Sequence, residues 1–199
     1  MILRYSPTSP FVRKVLAVAV ATGLDARIEN VRTETTDPSW WGENPLGKVP
    51  TLITDDGQAV VDSPVICEYL DSLHDGPKAF PPEGDARWTA LRHQALADGI
   101  MDACVSCFQE SRRPDGERSP AWIERQRGKV ERTAAVLEAE AASLEGNPDI
   151  GKIAVGCALG YIDLRMPDLD WRTPAPRLAI WYEAFAKNPF MTETAPPPA

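Results

Sequence analysis

The chain has 199 residues, which is enough for one large domain or two small ones with a proper buried core. Its hydrophobic fraction of 43% and charged fraction of 25% are those of an ordinary globular protein. The net charge of −8 argues against a nucleic-acid partner or an anionic membrane surface, because nothing offsets phosphate repulsion over the whole chain. The four cysteines are scattered, which favours reduced thiols, and we therefore expect a cytoplasmic protein.

A basic pair followed by an apolar run near the start has the outline of a secretory signal. Arg13-Lys14 precedes seven apolar residues, which is the lower limit of length for such a signal. Two prolines before the run and Gly23-Leu24 after it are more typical of a helix that ends at Gly23. No apolar run approaches the ~20 residues that a membrane-spanning helix needs.

The first part of the chain alternates strand-like and helix-like segments. Four segments predict strands: residues 2–5, 26–31, 51–54 and 58–61. The last two flank the turn Asp55-Asp56-Gly57 and predict a hairpin. Helices are predicted from Pro10 to Gly23 and from Asp62-Ser63-Pro64 onwards. This order implies a small α/β sheet with helices packed on it.

The second part of the chain is predicted to be helical throughout. Residues 75–84 are rich in Pro and Gly and make the best linker in the chain. The helices predicted after the linker cover residues 86–112, 120–144, 149–165 and 174–187. We therefore expect a first domain over residues 1–75, a linker over 76–85 and an all-helical second domain over 86–199, with a loose tail from residue 195.

The turn Ser9-Pro10-Phe11 is the first motif that could carry chemistry. A serine hydroxyl and the free N–H groups of a helix start face the same way and favour an anion such as a thiolate. An ordinary N-cap has the same sequence, and its loss costs ~0.5–2 kcal/mol without touching chemistry. Ser119-Pro120 is a similar pair that we interpret as a cap alone. The residues alone leave both interpretations of Ser9 open.

Two further motifs follow in the first part. One is the loop Asn44-Pro45-Leu46-Gly47-Lys48-Val49-Pro50, which leads into Thr51-Leu52. A proline at the first residue of a strand is acceptable in any protein. The other is Asp62-Ser63-Pro64-Val65-Ile66, where Asp62-Ser63 would also serve as a helix cap.

All three motifs, in this order and at these spacings, resemble the cytosolic glutathione S-transferase family. The chain is similar to a bacterial member with a serine-type active site, and the resemblance spans nearly all 199 residues. The resemblance implies an α/β thioredoxin-like N-terminal domain that binds glutathione and an all-α C-terminal domain that contributes the second-substrate pocket. It also implies a homodimer, with glutathione as co-substrate and no metal.

The resemblance implies that Ser9 is the catalytic residue that meets the glutathione sulfur. Its hydroxyl would donate to the thiolate, and the helix N-terminus would favour the negative charge. Tyr5, Ser6 and Thr8 remain alternatives, because the turn is short and the register could slip. Serine rather than cysteine favours thiolate stabilisation and conjugation over a mixed-disulfide mechanism.

The other two motifs would hold the rest of glutathione. The resemblance implies a cis Val49–Pro50 bond, with the Val49 backbone pairing with the glutathione cysteine like an added strand. Lys48 would reach the glycine carboxylate or remain a solvated loop lysine. Ser63 would bind the γ-glutamyl carboxylate through its hydroxyl and N–H, and Asp62 would meet the γ-glutamyl ammonium. Many relatives have Glu in place of Asp62, so the reach is shorter by one methylene.

The predicted helix from Asp149 resembles the family's buried sixth helix but departs from its pattern. The family usually has a Ser or Thr cap with Asp three residues later. This chain has Asp149 and Lys152. Asp149 can still cap the helix, but Lys152 cannot accept a backbone N–H. We therefore expect half of the capping interaction to be lost and the second domain to be less stable.

The remaining candidates for chemistry are weak. Cys104-Val105-Ser106-Cys107 is formally a CxxC, but a single pair on a helix is a poor zinc or redox signal. We interpret it as core packing or a pocket wall. His74 and His93 have no visible ligand cluster, and the basic stretch over residues 112–132 is interspersed with glutamates and typical of a solvated helical face.

The sequence therefore predicts a glutathione transferase that adds the thiolate to an electrophilic small molecule, as in detoxification. We expect the electrophile between the domains, near Phe11, Phe108 and Tyr161. One alternative is a non-catalytic binding or partner protein on the same fold. Others are a glutathione-dependent isomerase, dehalogenase or peroxidase, because the second-substrate pocket has no motif that separates these reactions.

Overall fold

The computed structural model describes residues 1–197, and these residues form two compact units. The first unit contains residues 1–87 together with residues 189–197, and the second contains residues 88–188. The sequence analysis assigned everything from residue 86 onwards to one domain, whereas the last helix packs on the first helix of the chain. Of the tail that we expected to be loose, residues 198 and 199 lie outside the described residues.

Four strands of the described chain form one mixed sheet. They are β1 (Ile2–Tyr5), β2 (Glu29–Arg32), β3 (Thr51–Ile53) and β4 (Ala59–Val60), and their spatial order is β2-β1-β3-β4. β1 runs parallel to β2 and antiparallel to β3, and β3 and β4 form the predicted hairpin. Leu3 lies directly opposite Leu52, and both are completely buried at the centre of the sheet. The second strand starts later than predicted because residues 25–27 form a 3₁₀ turn.

Seven α-helices lie within residues 1–197. They are α1 (Pro10–Ala21), α2 (Ser63–Ser72), α3 (Gly84–Ser111), α4 (Pro120–Ala139), α5 (Ile150–Arg165), α6 (Pro176–Phe185) and α7 (Pro189–Thr192). The predicted helix 120–144 is interrupted at Ala139, and residues 141–144 form a 3₁₀ turn instead. Asn188-Pro189 was expected to end the last helix. Helix α6 does end before these residues, at Phe185, and Pro189 begins a further short helix, α7. In the part of the chain described, no helix is both long enough and apolar enough to cross a membrane.

The first helix is buried, as its apolar sequence predicts. Pro10 occupies the first helical position, where its missing N–H is harmless. After the last turn, Gly23 adopts φ +70°, and Leu24 donates its N–H to the carbonyl of Ala19 at 2.8 Å. The helix packs against α2 and α7. This packing fixes the position of its N-terminus, where Ser9 lies.

The second unit is built around α5, whose residues 150–159 are all buried. A side chain at Gly151 would place its Cβ 2.6 Å from the carbonyl oxygen of Ala90 on α3, so the two helices approach too closely for any other residue. Trp181 on α6 donates its indole N–H to the carbonyl of Leu144 at 2.8 Å. The architecture is therefore the expected thioredoxin-like α/β unit followed by an all-helical unit.

Candidate functional site

Ser9 is the N-cap of α1, and its hydroxyl proton stays available. The Oγ accepts the backbone N–H of Val12 at 3.3 Å, and the Ser9 carbonyl accepts the N–H of Arg13 at 3.0 Å. Accepting a hydrogen bond does not consume the O–H of a serine, which carries one donor and two acceptor sites. Ser9 can therefore cap the helix and donate to an anion at the same time, so the two interpretations of this serine do not compete.

A cavity of about 160 Å³ lies beside Ser9 in the first unit. Tyr5 and Ser6 also line it, whereas Thr8 is not among its lining residues in the described chain. The opposite wall comes from the C-terminal segment, residues 193–195 and 197. Sequence reasoning missed this segment, because no local pattern indicates that a proline-rich tail packs beside a turn nearly the whole chain away.

Arg13 connects α1 to α7, the short helix that leads into that C-terminal segment. Its guanidinium donates to the carbonyl of Met191 on α7 at 3.1 Å, and its Nε is buried without a hydrogen-bond partner in the part of the chain described. Arg13 also lines the cavity beside Ser9. The sequence placed Arg13 within α1 but gave no signal for this role.

The loop before β3 has an unpaired backbone at Val49. The Val49–Pro50 bond is cis, as the family resemblance implies. Pro50 is buried and Val49 is half-buried. Within residues 1–197, neither the N–H nor the C=O of Val49 has a hydrogen-bond partner. Lys48 is exposed, and its ammonium makes no hydrogen bond or ion pair with a described residue.

Asn44 organises this loop from inside. It is 1% exposed, and its amide nitrogen donates to the carbonyl of Lys48 at 3.0 Å and to the hydroxyl of Thr51 at 2.9 Å. Its side-chain oxygen accepts the N–H of Leu46 at 3.0 Å. Sequence analysis included Asn44 in the motif but assigned it no role. One buried amide thus holds both ends of the segment that carries Val49.

An ion pair fixes the start of the same loop to the sheet. Arg4 on β1 donates through Nε to a carboxylate oxygen of Glu43 at 2.7 Å, and a second nitrogen contacts the other oxygen. This is the two-pronged geometry that makes arginine–carboxylate pairs strong. The hydrogen bonds from Arg4 hold the pKa of the Glu43 carboxyl below its ordinary value.

The start of α2 presents unpaired donors. Ser63 is 2% exposed, yet neither its hydroxyl nor its N–H is hydrogen-bonded to any described residue. Asp62 is the N-cap residue of α2, but it is exposed and its side chain makes no capping hydrogen bond to a described residue. A helix N-terminus with free donors and no side-chain cap favours binding of an anion.

Strand register brings these three segments to one edge of the sheet. β1 ends at Tyr5, before the Ser9 turn, and β3 begins at Thr51, after Pro50; the pairing of Arg4 with Thr51 places these two ends side by side. β4 runs back along β3 and ends at Val60, opposite Leu52, just before Asp62-Ser63. All three motifs therefore lie at the same end of the same four-stranded sheet.

The residues predicted for the second substrate fall in different units. Phe11 lies on α1 of the first unit, and its assignment stays a prediction. Phe108 on α3 and Tyr161 on α5 belong to the second unit, and both contact Arg165. Burial raises the pKa of Tyr161, and the Arg165 guanidinium beside it acts in the opposite direction.

The fold and the three motifs at one end of the sheet define a class of protein, in which a thioredoxin-like unit is followed by an all-helical unit. Residues 3–78 match the family described as glutathione S-transferase, N-terminal domain, and residues 120–184 match glutathione S-transferase, C-terminal domain. The uncharacterized GST-like protein YibF of Escherichia coli K12 is 33% identical over 197 residues, with 98% of each chain covered. The chain belongs to the glutathione S-transferase family.

Solved structures of glutathione transferase family members are also similar to this chain. A member from Pseudomonas fluorescens Pf-5 with bound glutathione is 44% identical, with a TM-score of 0.96 and 98% of each chain covered. A second structure from the same organism, with bound S-(propanoic acid)-glutathione, has a TM-score of 0.92 and covers 99% of this chain and 100% of its own.

Proposed function

We propose that the protein is a glutathione transferase that holds the glutathione thiolate at the N-terminus of α1. The observation that carries the proposal is the strand register, which brings Ser9, Val49 and Ser63 to one sheet edge. Each of these residues offers an unused hydrogen-bonding group there. The similar Pseudomonas fluorescens protein with bound glutathione supports the same ligand for this chain.

Ser9 is the proposed catalytic residue. Its hydroxyl donates to the glutathione sulfur while its Oγ keeps the bond from the Val12 N–H. The positive end of the α1 dipole adds to the stabilisation of the thiolate. Both effects favour the charged sulfur over the neutral thiol, so we expect the pKa of bound glutathione to lie below that of the free thiol.

The tripeptide is held by the other two motifs. The free N–H and C=O of Val49 pair with the cysteine backbone of glutathione, as when a strand is added to a sheet edge. Ser63 binds the γ-glutamyl carboxylate through its unpaired hydroxyl and N–H, and Asp62 binds the ammonium. Lys48 is free to reach the glycine carboxylate. Fixing the thiolate in this way makes its attack on a second bound molecule effectively intramolecular.

The reaction that we propose is attack by the thiolate on an electrophilic carbon of a small molecule. A sulfur–carbon bond forms. In a substitution the electron pair of the broken bond departs with the leaving group, and in an addition the π pair of the activated double bond moves onto its electron-withdrawing group, which then takes up a proton from solvent. The relative with bound S-(propanoic acid)-glutathione supports a thioether with a small S-substituent. Phe11, Phe108 and Tyr161 are the proposed contacts of the second substrate. We also propose a cytoplasmic homodimer with a role in detoxification.

The decisive experiment compares Ser9→Ala with the wild type. Isothermal titration calorimetry measures glutathione binding, and thiolate absorbance against pH measures the pKa of the bound thiol. One hydrogen bond to a charged group is worth about 1.5–3 kcal/mol, so the substitution raises that pKa by roughly one to two units. Unchanged pKa and unchanged conjugation would show that Ser9 is only a cap.

A matched control comes from Ser119, which also precedes a proline and caps a helix. Its Oγ accepts the N–H of Trp122 at 3.2 Å, in the same geometry as Ser9 on α1. Ser119→Ala should lower stability by the amount expected of a lost cap and leave glutathione chemistry untouched. Glutathione binding without turnover on a substrate panel would instead favour a non-catalytic binding protein. Turnover without net conjugation would favour an isomerase, dehalogenase or peroxidase.

A further inference from the structure

Two arginines flank one aromatic ring in the second unit. The guanidinium carbon of Arg165 lies 3.9 Å from the centre of the Phe108 ring, and that of Arg112 lies 5.4 Å from it. Arg165 is also 5.8 Å from the centre of the Tyr161 ring. These four residues, Phe108 on α3, Arg112 just after it, and Tyr161 and Arg165 on α5, form what we call the arginine–aromatic cluster. Contacts at these distances fall within the range of cation–π attraction.

The positive charge of this cluster is not neutralised. Within residues 1–197, neither Arg112 nor Arg165 has a carboxylate within ion-pairing distance. Six other arginines of the second unit do: Arg92, Arg113, Arg118, Arg127, Arg172 and Arg177. Arg125 and Arg132 also lack an ion pair in the described chain, but both are exposed, whereas Arg112 and Arg165 lie against the same aromatic ring.

Arg165 is held by stacking on the Phe108 ring and by a hydrogen bond to the Tyr161 hydroxyl. It is half-buried, and its Nε is sealed from solvent without a partner in the described chain. Its guanidinium donates a hydrogen bond to the Tyr161 hydroxyl, but within residues 1–197 it has no carboxylate partner. A partly desolvated cation without a counter-charge is unfavourable, and a bound anion would relieve this. The planar fork of donors matches a carboxylate, which can bind two nitrogens at once.

We propose that the arginine–aromatic cluster binds the carboxylate of a planar, apolar second substrate, with the guanidinium of Arg165 as its main contact. Arg112 adds charge from the exposed side, and the rings of Phe108 and Tyr161 contact the apolar part. The Tyr161 hydroxyl accepts a hydrogen bond from Arg165 and keeps its own O–H as a second donor for the carboxylate. This inference rests on the proposed function, which assigns Phe108 and Tyr161 to the second substrate.

The test uses two probes with the same planar apolar part, trans-cinnamate, which is anionic, and trans-cinnamamide, which is neutral. Isothermal titration calorimetry with the full-length protein measures the Kd of each probe, and of glutathione in a separate titration. We expect the wild type to bind cinnamate more tightly than the amide, and the difference to shrink at high salt. Arg165→Gln should weaken cinnamate binding by roughly tenfold or more and leave cinnamamide binding within about twofold.

Arg125→Gln is the matched control. Arg125 is an exposed arginine of the same unit and has no ion pair in the described chain. Its substitution removes the same charge as Arg165→Gln, but from a position outside the arginine–aromatic cluster. Arg165→Lys keeps the charge but not the fork, and should lie between wild type and Arg165→Gln. If Arg165→Gln does not fold, Arg112→Gln at the exposed side of the cluster replaces it, and the expected loss of cinnamate affinity is then smaller.

Three results would overturn the inference. The first is that the wild type binds cinnamate and cinnamamide with equal affinity. The second is that Arg165→Gln weakens the binding of both probes equally, and the third is that Arg125→Gln weakens cinnamate binding as much as Arg165→Gln does. The glutathione titration keeps this test separate from the proposed function. Failure to bind glutathione would contradict the transferase proposal alone, whereas intact glutathione binding without charge discrimination would contradict only the carboxylate proposal.

Discussion

The ammonium of Lys152 lies 2.9 Å from one carboxylate oxygen of Asp149, while the other oxygen accepts the backbone N–H of Lys152 at 3.0 Å. The ammonium also donates to the carbonyl of Asn147 at 2.7 Å. Lys152 is 7% exposed, so this ion pair is largely removed from solvent. We expected Lys152 to weaken the start of α5. Instead, its ammonium pairs with the carboxylate of the N-cap residue Asp149 and holds that side chain in place.

We predict that Lys152→Met lowers the free energy of unfolding by about 1–3 kcal/mol. The methionine keeps the buried stem, but Asp149 loses its counter-charge and the Asn147 carbonyl loses its donor. Urea unfolding followed by circular dichroism measures the change. Lys187→Met is the control, because Lys187 is exposed and should change stability by less than about 0.5 kcal/mol.

A double variant tests whether the ion pair replaces a capping box. Asp149→Thr with Lys152→Asp introduces the threonine and aspartate typical of the family at these two positions. We expect the double variant to be more stable than the sum of its single variants, because each single change breaks one arrangement without completing the other. Additive effects of the two substitutions would contradict this account of the helix start.

The Arg4–Glu43 pair should make stability depend on pH. Hydrogen bonds from Arg4 lower the pKa of folded Glu43 below the ordinary 4.5. A depressed carboxyl pKa stabilises the folded protein at pH values above the unfolded pKa, and this contribution is lost as pH falls through the folded pKa. Glu43→Gln should therefore lower the Tm at about pH 7 and approach the wild type as pH falls below 4.5.

The control for this pH series is Glu34→Gln. Glu34 is 76% exposed at its side chain and lies 3.9 Å from Arg32, so its pair is weak and screened by solvent. Its Tm should follow that of the wild type at every pH. A constant difference between Glu43→Gln and the wild type down to about pH 3 would show that the loss comes from packing rather than from the ionised pair.

The two cysteines of the CxxC pair should be unreactive in the folded protein. Burial raises the pKa of Cys104 to about 12, and it also raises the pKa of Cys107. Iodoacetamide reacts with thiolates, so we expect no alkylation of either residue at about pH 8 in native buffer. Mass spectrometry after labelling checks this, with labelling in guanidinium as the positive control. Rapid native labelling, or a disulfide between Cys104 and Cys107, would contradict the prediction.

Much of the first unit could be predicted because its signals are local. A glycine specifies a turn where the backbone needs a positive φ. Gly23 does so after the apolar first helix, and Gly57 does so in the turn Asp55-Asp56-Gly57 between two apolar segments. The structure confirms the helix end and the hairpin. The three motifs come together because of strand pairing, and the predicted order of strands and helices was sufficient to expect that sheet.

Contacts between distant segments could not be predicted in the same way. The hydrogen bond from Arg13 to Met191 joins residues 178 positions apart, and nothing in either local sequence indicates it. The stacking of Arg165 on Phe108 was missed for a similar reason, since arginine on a helix is typical of a solvated face. The Lys152 pair was missed because the capping rule considers only side-chain acceptors for backbone N–H groups and ignores a lysine whose ammonium pairs with the carboxylate of its own N-cap.

Asn44 is buried and should support both the stability of the fold and the binding of glutathione. We expect Asn44→Ala to destabilise the protein by about 2–4 kcal/mol, because three side-chain hydrogen bonds are lost in a buried position. The same change loosens the segment that carries Val49, so glutathione should bind several-fold more weakly. At saturating glutathione the rate should recover, since Asn44 positions the loop and does not touch the thiolate.

Two variants make the Asn44 test specific. Asn30→Ala removes an exposed amide on β2 of the same unit and should leave both stability and glutathione affinity unchanged. Asn44→Asp keeps the acceptor for the Leu46 N–H but places a buried carboxylate oxygen against the Lys48 carbonyl, so its glutathione Kd should be at least as high as that of Asn44→Ala. If Asn44→Ala lowers stability but binds glutathione like the wild type, the amide supports the fold alone. A raised Kd that follows the order of the three variants would show that the loop is positioned for the ligand.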